Sequence, residues 1–339
     1  MLTQADLQAM IADTEAEILE VVDAVDAPAT RALYDMVRYH LGLDGPSGVS
    51  GKRLRPLLGL LAYASITGDH RRALPGAAAV ELGHNFSLVH DDIEDRDVER
   101  RHRAALWTVY GVGQAINAGD TLFVLSRLAL HRLTDLGFSD RKVLRLMRLY
   151  DDTCLALCEG QFLDIWASDH GGEMSVEGYF DMIGRKTAAL IAASVEAGAL
   201  LATDDQAVVD AYRRFGWALG LAFQLNDDLL GIWGQEQVTG KEASDLAKHK
   251  KTLPVLYALE HASATDRERL LTLYGRTDPT PEEVAEVRAI LERTGARDYT
   301  RAEARRLRDE ALAALDATGV IEGAARERLR DLMVSAISA

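Results

Sequence analysis

Apolar residues recur at three- and four-residue spacing through most of the chain, which is the period of a helix with one buried face. In the first 27 residues the stripe is Leu7, Met10, Ile11, Ile18, Val22 and Val25, with acids elsewhere. That pattern predicts an amphipathic N-terminal helix packed on the body of the protein. Prolines occur at Pro28, Pro46, Pro56, Pro75, Pro254, Pro279 and Pro281, so residues 76–253 contain no helix breaker and predict long helices. Thr203 with Gln206, Thr265 with Glu268, and Thr280-Pro281 with Glu283 read as helix starts, each pairing an N-cap acceptor with a side chain three residues on. Strand-like alternation is scarce. Loops are predicted at Asp44 to Gly51, Gly171-Gly172, residues 234–252 and Asp278 to Pro281. No internal repeat argues for a solenoid. The pattern predicts a single all-α domain over residues 1–339, with helices long enough to enclose a cavity.

Composition adds boundaries. A hydrophobic fraction of 48% supplies a core, and a net charge of −15 argues against a nucleic-acid or anionic-membrane surface, both of which need a basic face. Asp6, Asp13, Glu15, Glu17, Glu20, Asp23 and Asp26 all precede the first basic residue, Arg31, so much of the acidity is local. Cys154 and Cys158, at i,i+4, fit reduced interior thiols better than a disulfide. The N-terminus has no basic and apolar leader, and no apolar run approaches the roughly 20 residues of a bilayer span. A cytoplasmic protein is the expectation.

Carboxylates concentrate in two places. In His84-Asn-Phe-Ser-Leu-Val-His-Asp-Asp-Ile-Glu-Asp95, late in a helical stretch that begins near Leu74, Asp91 and Asp95 share a face and Asp92 lies about 100° around. Like charges so placed repel by roughly 0.2–0.5 kcal/mol per pair when exposed, and by more when buried. Mg²⁺ is the natural compensation, because it takes one or two carboxylates and completes its shell with water and phosphate oxygens. The second pair, Asp227-Asp228 in Phe-Gln-Leu-Asn-Asp-Asp-Leu-Leu-Gly231, sits among apolar neighbours that imply an inward-facing helix. Two acidic pairs on two apolar helices predict two walls of one apolar hollow sharing metal ions. Basic islands complement them: Lys52 and Arg55, Arg100-Arg101-His102-Arg103, and Lys241, Lys248, Lys250 and Lys251. Separate islands suit separate phosphorylated groups. Gly240-Lys241 is not a P-loop, since Gln235 and Glu242 stand where Gly and Ser/Thr belong, and Gly111-Val-Gly113 ends in Ile116.

Taken in order, Gly51-Lys-Arg-Leu-Arg-Pro56, His84, Asp91-Asp92-Ile-Glu-Asp95, Arg100-Arg101, Gly160-Gln-Phe-Leu-Asp164, Lys186-Thr187, Phe223-Gln224 with Asp227-Asp228, Lys241 and Lys250-Lys251 resemble the trans-isoprenyl diphosphate synthases, also called polyprenyl synthetases. The resemblance implies an all-α bundle around a deep apolar pocket, usually a homodimer. It also implies an enzyme that condenses isopentenyl diphosphate with an allylic prenyl diphosphate. By the same resemblance Asp91 and Asp95, helped by Asp92, bind Mg²⁺ on the allylic diphosphate, and Asp227 with Asp228 holds the third ion of the cluster. Lys52, Arg55, His84 and Arg101 match positions that grip isopentenyl diphosphate. Arg100, Lys241 and Lys251 match positions on the allylic diphosphate, and Lys186, Thr187 and Gln224 match residues near the reacting carbons. No protein nucleophile is required: departure of diphosphate builds negative charge on oxygen and positive charge on carbon, which cations and a dry cavity manage.

Two departures stand out. The second motif reads DDLLG, with Gly231 in place of the last acid, and His102-Arg103 is followed by Ala104 where the family often has proline. Phe86 lies five residues before Asp91, about 7.5 Å deeper along the helix, so its ring can floor the pocket beside the small Ser87. An aromatic there implies a short product, farnesyl or geranylgeranyl diphosphate, with the twenty-carbon product favoured. The residues weigh against the alternatives. A terpene cyclase on the same scaffold has no use for Lys52, Arg55, His84 and Arg101, and a non-catalytic partner subunit would have lost acidic ligands. An α-helical scaffold with no small-molecule site would not carry Asp227-Asp228 in an apolar helix.

Overall fold

The computed structural model describes residues 2–45, 51–169, 174–234, 246, 250–274, 276, 279–320 and 323–335. Lys241, Lys248, Gly171-Gly172 and most of the Asp44 to Gly51 and 234–252 loops lie outside them. The helices are α1 Gln4–Asp23, α2 Arg31–Leu41, α3 Leu54–Thr67, α4 Leu74–Glu94, α5 Leu106–Tyr110, α6 Val112–Asp135, α7 Asp140–Asp169, α8 Val176–Ile183, α9 Ala189–Ala202, α10 Gln206–Trp233, α11 Leu253–His261, α12 Ala264–Tyr274, α13 Pro281–Arg293, α14 Ala296–Asp316 and α15 Ala324–Ser335. The strands among the described residues are two-residue pieces, β1 Glu99–Arg100 and β2 Arg103–Ala104, paired antiparallel. The all-α expectation is met, and the proline-free stretch does form the longest helices. Proline stands in the first turn of α4, α11 and α13, where its missing N–H would have had no helical partner anyway.

Local chemistry sets the helix ends. Thr280 and Glu283 form the expected capping box at α13. Two other expected starts shift to nearer acceptors. Asp205, not Thr203, takes the N–H of Ala207 at α10, and Ser263, not Thr265, takes that of Asp266 at α12. A cap acts from the residue that immediately precedes the first helical turn, and Asp205 and Ser263 occupy that place. At α1 a Thr3/Asp6 capping box starts the helix. Leu7, Met10, Ile18 and Val22 are buried as the stripe predicted, together with Thr14 and Val21, whereas Val25 lies past the helix end and is exposed. Cys154 is buried and Cys158 is exposed, so only one of the two cysteines is interior.

By packing, the chain divides into two units: Met1–Cys154 with Leu190–Arg213 and Ala317–Leu329, and Leu155–Ala189 with Arg214–Asp316 and Arg330–Ala339. In the first, α4 packs along α6, and α1 and α3 pack on α4. Leu58, Leu60, Leu61, Leu82, Leu122 and Leu125 form part of its core. Helices α3 and α9 cross at glycine, because a Cβ on Gly198 would stand 2.1 Å from the Gly59 carbonyl oxygen. In the second unit, α11 packs on α14 and α8, and Ile232, Val255, Leu270, Leu273, Ile290 and Leu291 share one apolar cluster.

Candidate active site

In the first unit, α4 carries His84, Phe86, Ser87, Asp91 and Asp92, and Asp95 is its C-cap, donating its N–H to the Asp91 carbonyl at 2.8 Å. The three acids are not equivalent. Asp91 is half-buried and Asp95 exposed, while Asp92 is 1% exposed. Arg100 meets Asp92 with both Nε, at 2.7 Å, and Nη2, at 2.6 Å, and both reach the same oxygen, Oδ1. Burial raises the Asp92 pKa and the Arg100 guanidinium opposes the rise. Its Oδ2 is buried and, among the described residues, has no hydrogen-bond partner. Phe86 lies edge-on to Phe123 of α6 at 5.1 Å, and the Ser87 hydroxyl donates to the His84 carbonyl at 2.8 Å.

Arg100 and Arg101 reach the site through the β1–β2 hairpin. Its two loop residues, Arg101 and His102, have φ of 54° and 60°, the left-handed pair that usually calls for Asn-Gly. Each non-glycine residue there costs roughly 1–2 kcal/mol, and the cost turns Arg101 inward. Its Nη2 donates to Asn85 Oδ1 at 3.2 Å and its Nη1 to the His40 carbonyl at 3.4 Å. A Cβ on Gly51 would stand 3.0 Å from the Arg101 guanidinium carbon, so the glycine beside Lys52 makes room for that side chain. Arg53 is left-handed too, with φ 47°, just before α3. Lys52 is exposed, and Arg55 Nη1 lies 3.0 Å from His84 Nε2. Because a guanidinium only donates, Nε2 is the acceptor and the His84 proton is assigned to Nδ1. Burial, then the charges of Arg55, Arg101 and Arg100, push the His84 pKa well below its ordinary value, in keeping with a neutral ring.

In the second unit, Lys186 and Thr187 sit in a π turn, Gly184–Ala188, inserted between α8 and α9. Gly160 of α7 lies under that turn: a Cβ there would be 2.4 Å from the Lys186 backbone nitrogen. Lys186 Nζ donates to Asp164 Oδ2 at 2.5 Å, and Thr187 Oγ1 donates to Gln224 Oε1 at 3.0 Å. Gln224 Nε2 in turn reaches Asp228 Oδ1 at 3.3 Å. Asp228 is buried and its Oδ2 also accepts from the Tyr179 hydroxyl and, at 3.1 Å, from the Leu253 N–H at the start of α11. Asp227 is exposed. The second acidic pair therefore splits as the first does, into an outward acid and an inward, donor-held one. Lys251 Nζ donates to the Ala167 carbonyl at 2.8 Å, and burial lowers its pKa. Asp164, Tyr179, Arg53 and Asn85 were not among the expected site residues. Asp164 and Arg53 had a sequence signal, their places in Gly160-Gln-Phe-Leu-Asp164 and Gly51-Lys-Arg-Leu-Arg-Pro56.

A family model described as polyprenyl synthetase matches residues 33–292. The chain belongs to the polyprenyl synthetase family. A (2E,6E)-farnesyl diphosphate synthase of Mycobacterium tuberculosis is 40% identical over 280 residues, covering 80% of this chain and 76% of that protein. A geranylgeranyl diphosphate synthase of the same species is 45% identical over 248 residues, covering 71% of this chain and 69% of that one. The crystal structure of a geranylgeranyl pyrophosphate synthetase from Pyrococcus horikoshii superposes with a TM-score of 0.88 at 32% identity, covering 99% of this chain and 98% of that one. As a polyprenyl synthetase the chain keeps the first acidic motif whole and has Gly231 at the end of the second. Among the described residues no three acidic, His or Cys side chains form a closed metal cage. The outward acids, Asp91 and Asp95 on α4 and Asp227 on α10, offer hard carboxylate oxygens, and that chemistry fits Mg²⁺.

Proposed function

We propose that the chain is a short-chain trans-prenyltransferase that joins isopentenyl diphosphate to an allylic prenyl diphosphate head to tail, with loss of a proton. The observation that carries this reading is the grouping, within one unit, of the acid-bearing end of α4 with a distinct set of anion donors on α3, α4 and the β1–β2 hairpin. Lys52, Arg55, His84 and Arg101 form the set for isopentenyl diphosphate, and Arg100 and Lys251, with Lys241, the set for the allylic diphosphate. A neutral His84 beside Arg55 leaves the positive charge on the guanidinium, which keeps its proton at any working pH. Asp91, Asp95 and Asp227 would hold Mg²⁺, three ions in all. Asp92 and Asp228 contribute chiefly by fixing their helices against Arg100 and against Tyr179, Gln224 and Leu253. Bound Mg²⁺ supplies charge neutralisation of the departing diphosphate. Lys186, Thr187 and Gln224 present fixed dipoles and charge to the reacting carbons, and the released diphosphate is the base for the final proton.

Phe86, 7% exposed and braced by Phe123, supports a pocket that stops at a short product, which we take to be geranylgeranyl diphosphate. The whole chain is read as one catalytic domain. A homodimer is supported by the exposed apolar residues Val112, Ile116, Val124 and Leu128 on α6, which water solvates poorly. Among the described residues no helix is long and apolar enough to cross a membrane. A cytoplasmic location is proposed with the thiols of Cys154 and Cys158 in mind.

The purified chain, incubated with isopentenyl diphosphate and each of dimethylallyl, geranyl and farnesyl diphosphate, is expected to yield geranylgeranyl diphosphate only when Mg²⁺ is present. A farnesyl product would correct the chain length, and hydrocarbons formed without consumption of isopentenyl diphosphate would replace the reading with a cyclase.

A further inference from the structure

We propose that Arg53, Glu81 and Asn85 are positioning residues for isopentenyl diphosphate, links in a buried hydrogen-bonded chain that runs from Glu15 on the N-terminal helix to the guanidinium of Arg101. The proposal rests on the assignment of Arg101 to that substrate.

The chain can be followed atom by atom. Arg53 sits between Lys52 and Arg55 in sequence, yet its left-handed φ of 47° turns it the other way, and its side chain is fully buried. Its Nε donates to Glu15 Oε1 at 3.0 Å, its Nη1 to Glu81 Oε1 at 2.6 Å and its Nη2 to the Leu41 carbonyl at 2.6 Å. One guanidinium thereby ties α1, α2 and α4 to the residue that caps the start of α3. Glu81, 2% exposed, shares the same Oε1 with Asn85 Nδ2 at 2.9 Å. Asn85 is 0% exposed, and its Nδ2 also donates to the Glu81 carbonyl at 2.8 Å. With both its amide hydrogens turned to Glu81, Asn85 presents its oxygen outward, and that oxygen accepts from Arg101 Nη2 at 3.2 Å. The sense of every bond is fixed by its donor: Arg53 and Arg101 can only donate, so Asn85 must present its oxygen to one side and its nitrogen to the other.

A side chain as long as arginine has many rotamers, and an anion site gains from each one removed before the anion arrives. Arg101 stands on a strained two-residue loop, with Gly51 leaving room for its guanidinium and the His40 carbonyl accepting from it at a long 3.4 Å. Asn85 therefore supplies the side-chain contact that selects its rotamer, and Glu81, Arg53 and Glu15 select the rotamer of Asn85. Glu15 pairs with Arg53, which is assigned to neither substrate, so its effect on substrate binding is expected to pass through the chain.

The test is steady-state kinetics on the full-length chain with each substrate varied in turn, alongside Tm. Asn85→Ala removes the acceptor for Arg101 and is expected to raise KM for isopentenyl diphosphate about tenfold, with KM for the allylic diphosphate and kcat within about twofold of wild type. Glu15→Leu, at the half-exposed far end, is expected to raise the same KM about threefold, and the double variant to fall short of the product of the two effects because the residues share one network. A purely structural role would lower Tm and kcat without separating the two KM values. That result, or simple multiplication in the double variant, overturns the proposal, and Glu15→Leu decides it alone if Asn85→Ala does not fold. A wild-type chain that condenses nothing would overturn the assigned activity itself, whereas an active wild type with unmoved KM values overturns the network alone.

Discussion

Replacing Gly160 by alanine adds one methyl group, and the structure says where it would go. The new Cβ would lie 2.4 Å from the Lys186 backbone nitrogen, 2.8 Å from its Cα and 2.9 Å from its Cβ, where ordinary contact begins at 3.4 Å. Two of these three atoms are backbone, so no rotamer change relieves the clash, and α7 must move from the π turn by about 1 Å. Overpacking of this kind costs about 1–3 kcal/mol, partly offset by the better helix propensity of alanine. At about 2 °C per kcal/mol for a chain of this size, Tm should fall by a few degrees. The effect on turnover should be larger. The same separation stretches the 2.5 Å bond from Lys186 on the π turn to Asp164 on α7, and misplacing positioned groups by about 1 Å can cost on the order of a hundredfold in rate. The control is Gly113→Ala on α6, where nothing lies within 4 Å of the new methyl; it should raise stability by about 0.5 kcal/mol and leave kcat alone. Both variants would be assayed for Tm by thermal melting and for kcat at saturating isopentenyl and allylic diphosphates. Wild-type Tm and kcat in Gly160→Ala would refute the reasoning, because the clash would then not exist in solution.

Asp91→Ala is expected to lower kcat at saturating Mg²⁺ by at least about a hundredfold while Tm moves by only a few degrees, since Asp91 is half-buried at a helix end; full activity would remove it from the metal site. Phe86→Ala should lengthen the product by one or more five-carbon units on chromatography of the hydrolysed prenols, at a stability cost of about 3 kcal/mol for losing the ring packed on Phe123, and an unchanged product would remove Phe86 as the floor. Glu196, on α9, has its pKa pushed up to about 7 by burial first and by Asp210, against the opposing Arg213 and Arg145. The folded chain therefore holds that proton more tightly than the unfolded chain, so this stabilisation is complete below the unfolded value and is lost as pH rises through 7. It amounts to about 3 kcal/mol at most. Relative to Glu196→Gln, wild-type Tm should fall between pH 5 and pH 8, and parallel curves would show that Glu196 titrates normally.

The helices were legible because their signal is local. Spacing of Leu7, Met10, Ile18 and Val22, and the placement of prolines, needs no knowledge of distant residues. Two helix starts were each missed by two residues because several nearby side chains could cap, and only the backbone decides which one stands just outside the first turn: Asp205 rather than Thr203, Ser263 rather than Thr265. The candidate site was legible as a list of residues and illegible as a geometry. The sequence singles out Lys52 and Arg55 but does not show that Arg53 between them turns into the core, since that reversal comes from one left-handed residue stabilised by Glu15, Glu81 and Leu41. The π turn under Lys186 is likewise set by packing on Gly160, far away in sequence.

The two acidic pairs point to a reason for adjacent aspartates that neither pair shows alone. Successive residues on a helix project about 100° apart, so a doublet cannot aim both carboxylates at one ion; one of them must turn toward a neighbouring element. At α4 the inward acid is Asp92, neutralised by Arg100; at α10 it is Asp228, held by Tyr179, Gln224 and the first N–H of α11. A buried carboxylate is costly unless it is paired, and each of these is paired to an element that itself carries proposed substrate-binding residues, the β1–β2 hairpin in one case and the Lys251 segment in the other. The inward acid therefore registers that element against the helix, and the outward acid, one residue earlier, is presented from a backbone that its neighbour has fixed. On this argument Asp92→Asn and Asp228→Asn should each loosen a cation donor as well as a carboxylate, whereas Asp91→Asn and Asp227→Asn should leave the basic residues where they are. Affinity for inorganic diphosphate without Mg²⁺, measured by calorimetry, separates the two classes: a fall for the inward pair only supports the division of labour, and equal falls for all four would end it.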